Sequence, residues 1–378
     1  MRVLFVHPSL DASGGGNGVA CWMVQALKDE HEVTALTWTP LDWERANRLW
    51  GTEIRTGDVA SLRVPRWLRA LVRVLPAPVA LMRTCILLRL AKRLAPEFDC
   101  VVTANNEGDF GRVGIQYVHF PWNLFPRPDA DLRWYHLGPL LPPYYALCKR
   151  IADFDVARAR KNITLVNSDW TRRMALDRAD LPSRTVYPPV KVGAISRPWA
   201  EREDGFVCIG RFSPEKRLER VIEIVGRVRA QLPGVKLHLA GTRDNEPYYR
   251  QIVRLVRATP WITLHEDLSR DELEQLMARQ RYGLHGMLEE HFGMAPAEMV
   301  RAGCIVWVPN GGGQVEIVDH PRLVYESVDD AAAKIVRTLG DPTEQDALRG
   351  HLAARADAFS PEAFVTKVRA SVAEAAAA

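Results

Sequence analysis

Two stretches of this chain place charged side chains where they could hold a phosphate and a set of hydroxyl groups. The first is Gly210-Arg211-Phe212-Ser213-Pro214-Glu215-Lys216, which follows the apolar run Phe206–Ile209. If a strand hands over to a helix here, Arg211 and Lys216 stand at the carboxyl end of a sheet, where doubly wound folds bind ligands. Helix N-termini there attract anions. Arg211 can fork two hydrogen bonds to phosphate oxygens, and Lys216 adds a point charge. A diphosphate gains negative charge as it leaves a sugar, and two cations would stabilise that charge without a metal. Taken alone, an Arg-x-x-x-x-Lys spacing more often marks a solvated loop.

The second stretch is Glu290-His291-Phe292-Gly293-Met294-Ala295-Pro296-Ala297-Glu298. Pro296 is tolerated only in a first helical turn, so a helix is expected to start near Met294. Tyr282 to Leu288 reads as the end of a strand. Glu290 then lies in the loop above that strand and Glu298 in the first turns of the helix, both facing one cleft. Glu290 can accept from sugar hydroxyls and Glu298 from ribose hydroxyls. The backbone N–H groups of Phe292, Gly293 and Met294 would sit beside the sugar. The plain alternative is a pair of acids complementing a helix dipole.

These residues need a scaffold, and both halves of the chain supply the same kind. Val3–Val6 is a short apolar run, followed by Gly14-Gly15-Gly16 and by Val19, Trp22, Met23 and Leu27 at helical spacing. His31 to Trp38 reads as a second strand. Phe206–Ile209 opens a matching unit, with Leu218, Val221, Ile222, Ile224 and Val225 along a helix and Val235 to Leu239 as the next strand. The expected fold is α/β, with two Rossmann-like doubly wound domains: residues 1–190, residues 191–355, and a crossover helix and tail at 356–378. The hinge is placed at 188–204, around Pro188-Pro189. Ser360 and Pro361 read as the N-cap and first residue of the last helix.

Gly15 and Gly16 either let the backbone approach a phosphate or acceptor closely or form a plain turn. As a dinucleotide fingerprint the loop is poor, because no acidic residue follows the second strand at Thr37-Trp38-Thr39. With 378 residues, 47% hydrophobic and 25% charged, the chain has the composition of a folded two-domain protein. A net charge of +4 does not argue for nucleic acid. The six cysteines form no Cys-x-x-Cys pair and no zinc pattern, so a reducing cytoplasm is expected. The N-terminal run is too short for a signal peptide, and no apolar run approaches the roughly 20 residues that span a bilayer.

Taken together, the segments resemble glycosyltransferase family 4. Gly210 to Lys216 is similar to its G-R-x-x-x-x-K segment, Glu290 to Glu298 to its E-x7-E motif, and Gly311-Gly312-Gly313-Gln314-Val315-Glu316-Ile317-Val318 to the loop that follows. Gly14 to Gly16, Tyr117-Val118-His119 and Val166-Asn167-Ser168 match more weakly. The resemblance implies a GT-B fold, with two Rossmann-like domains facing a cleft, and retaining, metal-independent hexosyl transfer with no cofactor beyond the nucleotide sugar. By it, Arg211 and Lys216 hold the diphosphate, Glu290 the donor sugar and Glu298 the ribose. Gly15, Gly16, Gly210, Phe292, Gly293 and Met294 line the donor, and His119 stands near the sugar. The leaving phosphate is expected to take the acceptor proton. Glu290-His291-Phe292-Gly293 and Tyr117-Val118-His119-Phe120-Pro121 resemble mannosyltransferases that use GDP-mannose and lipid-linked acceptors. Thr263 to Leu268, where the family places the base, lacks the usual Gly, so the donor is GDP-mannose or a UDP-sugar. A GT-B epimerase and a non-catalytic nucleotide-sugar binder are the alternatives.

Residues 61–95 carry Arg63, Arg66, Arg69, Arg73, Arg83, Arg89, Lys92 and Arg93 and no acidic residue. Arg66, Arg69 and Arg73 share one helical face, with Trp67, Leu68, Leu71, Val72 and Leu75 on the other. This reads as an interfacial helix that meets anionic lipid, on a cytoplasmic protein peripheral to the inner face of a membrane. The alternatives are a basic face packed on the core and a phosphate-binding surface.

Overall fold

The computed structural model describes residues 1–11, 14–73, 80–121, 141–193 and 197–377. The chain divides into two compact units, Met1–Pro189 with Pro361–Ala378, and Val190–Ser360. In the first unit, β1 (Arg2–Val6), β2 (Glu32–Thr37), β3 (Val59–Arg63), β4 (Cys100–Thr103), β5 (Ile115–Val118), β6 (Ile163–Val166) and β7 (Arg184–Thr185) form a parallel sheet. Its order is β3-β2-β1-β4-β5-β6-β7. The winding reverses between β1 and β4, which opens a crevice at their carboxyl ends.

The central strands β4 and β5 and residues 3–6 of β1 are buried throughout because helices cover both faces, whereas the edge strand β3 is exposed after Val59. Along β1 the side chains alternate: Val3 and Phe5 join one core cluster, Leu4 and Val6 the other. The helix Gly15–Leu27 buries Val19, Met23 and Leu27, as its spacing predicts. The last helix, Pro361–Ala377, returns to the first unit and adds Phe364, Val368 and Val372 to the same cluster as Val3.

The second unit repeats the plan with β8 (Glu203–Ile209), β9 (Lys236–Gly241), β10 (Ile262–Glu266), β11 (Gln280–Leu284), β12 (Ile305–Pro309) and β13 (Val324–Tyr325). All pairings are parallel, in the order β10-β9-β8-β11-β12-β13. Here the winding reverses between β8 and β11.

Three expectations need correction. The hinge assigned to 188–204 is partly ordered structure: a 3₁₀ turn spans Trp199–Glu201, and Glu203 and Asp204 are the exposed first residues of β8. Polar side chains at the solvent-facing tip of a strand look like linker in sequence. The strand expected to reach Leu288 stops at Leu284. The helix expected around Arg66, Arg69 and Arg73 forms as Arg66–Arg73, after β3, which Arg63 ends, and before the helix Ala80–Leu94. Residues 74–79, including Leu75, lie outside the described residues. The apolar side of the first helix is divided. Val72 and Leu68 pack on the core, while Trp67 and Leu71 are 68% and 59% exposed.

Candidate functional site

In the second unit the chain leaves β8 through Gly210 and turns through a 3₁₀ segment, Pro214–Lys216, before the helix Leu218–Gln231. Across the reversal it leaves β11 into His285 and Gly286. These two loops touch: a Cβ on Gly286 would lie 2.7 Å from the carbonyl oxygen of Lys216. Only glycine permits that approach, which carries the following residues past Lys216.

The result is a three-residue cluster at the switch point. Lys216 Nζ lies 2.5 Å from Glu290 Oε2 and 3.5 Å from Met287 Sδ. His285 Nε2 is 3.2 Å from the same Glu290 oxygen. His285 is buried, and burial lowers its pKa, so the neutral ring donates to the carboxylate. Burial would by itself raise the Glu290 carboxyl. The His285 hydrogen bond and the Lys216 charge outweigh it and hold Glu290 well below the usual carboxylate range. Glu290 is thus an acceptor-only group fixed as an anion.

The Glu290 backbone is held from the other side. Gly312 pairs with it as an isolated bridge, and Gly313 N–H donates to its carbonyl at 2.7 Å. Gly312 has φ 72°, and a Cβ there would fall 2.2 Å from the Glu290 carbonyl oxygen. Buried Gln314 donates through Nε2 to the carbonyls of Met287 at 2.7 Å and Gly311 at 3.0 Å. The Gly311–Gln314 turn therefore moulds the 287–290 loop.

The other expected residues sit as follows. Glu298 lies on the helix Met294–Arg301, which starts where Pro296 required. Its carboxylate is 2.6 Å from Arg270 Nη1. Arg270 also pairs with Glu274 at 2.7 Å, which accepts from Gly193 N–H at 2.8 Å. Gly293 caps that helix at φ 111°, and the Phe292 ring is buried 5.7 Å from Phe359, so only its backbone can meet a ligand. Arg211 does not join the Lys216 cluster. Its half-exposed guanidinium pairs with Asp244 at 2.8 Å and Glu215 at 3.3 Å. Asp244, 33 residues away, and Glu215, four residues on, hold that rotamer.

In the first unit Gly15 and Gly16 open the helix after β1. A Cβ on Gly16 would meet His119 Nε2 at 3.2 Å, so the helix start rests on that imidazole. His119 follows β5. Its N–H donates to Asn106 at 2.7 Å, its ring contacts the Ala104 carbonyl at 3.0 Å, and Asn167 donates to its carbonyl at 3.0 Å. Gly16 and His119 thus form one group, and Lys216 and Glu290 another.

His285, Gly286, Arg270 and Gln314 were not singled out from sequence. Gln314 stands inside the glycine-rich loop that was noticed, which was the available signal. Among the described residues, no three His, Cys, Asp or Glu side chains converge as metal ligands, and no helix is long and apolar enough to cross a membrane.

Residues 195–355 match the family described as Glycosyl transferases group 1. The chain is 27% identical over 236 residues to the GDP-Man:Man(3)GlcNAc(2)-PP-Dol alpha-1,2-mannosyltransferase of Homo sapiens. That match covers 56% of this chain and 48% of the relative. It is 25% identical over 289 residues to the human alpha-1,3/1,6-mannosyltransferase ALG2, covering 67% of this chain and 65% of that one. The chain thus spans about half the length of the first relative. Among solved structures it resembles WaaG, a glycosyltransferase involved in lipopolysaccharide biosynthesis, with a TM-score of 0.68 at 14% identity, covering 97% of this chain and 99% of that one. With two doubly wound units, this likeness shows the GT-B fold. Residues 195–355 are a domain of the glycosyl transferases group 1 family.

Proposed function

We propose that the chain transfers mannose from GDP-mannose to a saccharide or lipid-linked acceptor, with retention at the anomeric carbon and without a metal ion. The observation that carries this is the Lys216–Glu290–His285 cluster at the switch point of the second unit. A diphosphate arriving there engages Lys216, which releases Glu290 to accept from the sugar hydroxyls while His285 keeps it oriented. Arg211 exchanges Asp244 and Glu215 for phosphate oxygens. Glu298, held by Arg270, accepts from the ribose. The bond from C1 to the diphosphate oxygen breaks, the acceptor oxygen bonds to C1, and its proton passes to the departing phosphate. His119 stands beside the glycines of the first unit as a hydrogen-bonding group for sugar. The names of the human relatives support mannose, a GDP donor and a lipid-linked acceptor.

The test is transfer from GDP-mannose and from UDP-sugars to a polyprenyl-diphosphate-linked saccharide, in excess EDTA, with the product anomer read by NMR. An α-mannoside formed from the α-configured donor is expected. Turnover of UDP-sugars alone would remove mannose, a β-product would remove retention, and loss reversed by Mg²⁺ would remove metal independence.

A lipid-linked acceptor lies at a bilayer surface, and the helix Arg66–Arg73 offers a way to reach it, with exposed Trp67 and Leu71 beside Arg66. The protein is proposed to be peripheral on the cytoplasmic face, and co-sedimentation with anionic vesicles at low salt is expected. Wild-type protein that stays in the supernatant would refute that docking.

A further inference from the structure

The second unit has another concave site, on the opposite edge of its sheet from Lys216 and Glu290. A cavity of about 580 Å³ is lined by Arg197, Trp199, Arg202, Arg301 and Arg349, with Asp346 at its side. Trp199 and Arg202 immediately precede β8, and Gly303 and Cys304 immediately precede β12. The strands are parallel, so this is their amino-terminal edge, whereas the Lys216 cluster follows their carboxyl ends.

The charges in this cavity do not balance. Arg349 pairs with Asp346 at 2.9 Å, and Arg197 lies 3.8 Å from Glu201. Among the described residues, Arg202 and Arg301 have no carboxylate partner. Arg202 is buried and donates to the backbone carbonyls of Arg197 at 3.1 Å, Gln280 at 3.3 Å and Ala302 at 2.8 Å, with the buried Cys304 thiol as a further hydrogen-bond partner. Arg301 donates through Nη1 to the Ala356 carbonyl at 2.9 Å, and its Nε–H is buried with no acceptor. Burying guanidinium charge is costly unless it is compensated, and an unmade hydrogen bond on a buried donor adds to that cost. Arg349 also stacks on Trp199, 4.5 Å from the ring centre, which gives the cavity a rigid wall. Two surplus positive charges around a volume of this size suit a small dianion.

The geometry points to a second anion site, which takes the phosphate group of a small phosphorylated molecule. Both surplus charges are neutralised by one phosphate dianion. The site is separate from the one proposed for the nucleotide sugar, at the other end of the helix Met294–Arg301 that carries Glu298.

Calorimetric titration with inorganic phosphate, and in parallel with a hexose 6-phosphate, tests this at constant ionic strength set with chloride. Wild type and Lys216→Ala are expected to bind phosphate equally. Arg301→Gln and Arg349→Gln are each expected to bind roughly tenfold more weakly. Arg349 is half exposed, so its variant retains the fold if Arg301→Gln does not. Tighter binding of the hexose phosphate would assign the cavity to a sugar phosphate, and equal binding would assign it to phosphate itself. No binding by wild type, unchanged binding by Arg349→Gln, or loss in Lys216→Ala alone would overturn the proposal.

Discussion

In the first unit the chain leaves β1 through His7, whose Nδ1 contacts the Ser9 carbonyl at 2.6 Å, and the helix then begins at Gly15. Beyond the reversal stand Asn106 and His119. In the second unit the corresponding positions hold Lys216, His285 and Glu290, with Gly286 bringing the two loops into contact. Both junctions place a buried, neutral histidine just past a strand end. In the first unit it meets a backbone carbonyl. In the second it meets a carboxylate, which is itself matched to a lysine. One architecture therefore furnishes two kinds of surface: amides, imidazoles and glycine backbone that suit neutral hydroxyl groups, and paired charges that suit a polyanion.

The largest test of this contrast is Lys216→Ala. Removing the ammonium should lower turnover by roughly 10²–10³-fold while the thermal transition stays in place. Near-normal turnover would mean that the second junction is not the charged one that matters. The next test uses pH. Burial lowers His7 from 6.5 to about 4 in the folded protein. A depressed histidine costs stability as pH falls, because the unfolded chain takes up its proton first. Denaturant midpoints should fall between pH 6.5 and pH 4 by the equivalent of about 3 kcal/mol, and His7→Asn should flatten that slope. A slope unchanged by the substitution would place the acid sensitivity elsewhere.

Two smaller effects sharpen the comparison. Gly312→Ala introduces a methyl 2.2 Å from the Glu290 carbonyl at φ 72°, and should cost about 2 kcal/mol of stability and raise the donor KM. Gly16→Ala meets the His119 ring at 3.2 Å and should cost less than half as much. Equal costs would show that the two loops are equally tight. The smallest expected change is His119→Ala, with a loss of up to about tenfold in kcat/KM, the value of one neutral hydrogen bond. A loss as large as that of Lys216→Ala would give the first unit a share of the charge stabilisation.

Local pattern carried much of this arrangement. β1 and β8 were legible because Val3–Val6 and Phe206–Ile209 are buried on both faces, which makes them continuous apolar runs, and Pro296 alone placed the start of the Met294 helix. Lys216 and Glu290 were legible because each follows a strand end. Gln314 was not singled out, since its role is to bind carbonyls 26 and 27 residues earlier, which no spacing announces. Arg211 and Glu298 were found in sequence, but their partners Asp244 and Arg270 were not, because those pairs form across elements. The Arg66–Arg73 helix shows a further limit. Periodicity identifies an apolar side, yet Val72 spends its share on the core while Trp67 does not.

The return of the helix Pro361–Ala377 to the first unit has a consequence for the order of synthesis. The second unit, Val190–Ser360, is an insertion between β7 and the helix that completes the first. On a ribosome the second unit emerges whole and can close while the first still lacks Phe364, Val368 and Val372 from its core. The strands of the first unit are therefore made before the second unit and enclosed after it. A ribosome that stalls after Ser360 releases a chain with one finished unit and one open hydrophobic face, a form that chaperones would recognise.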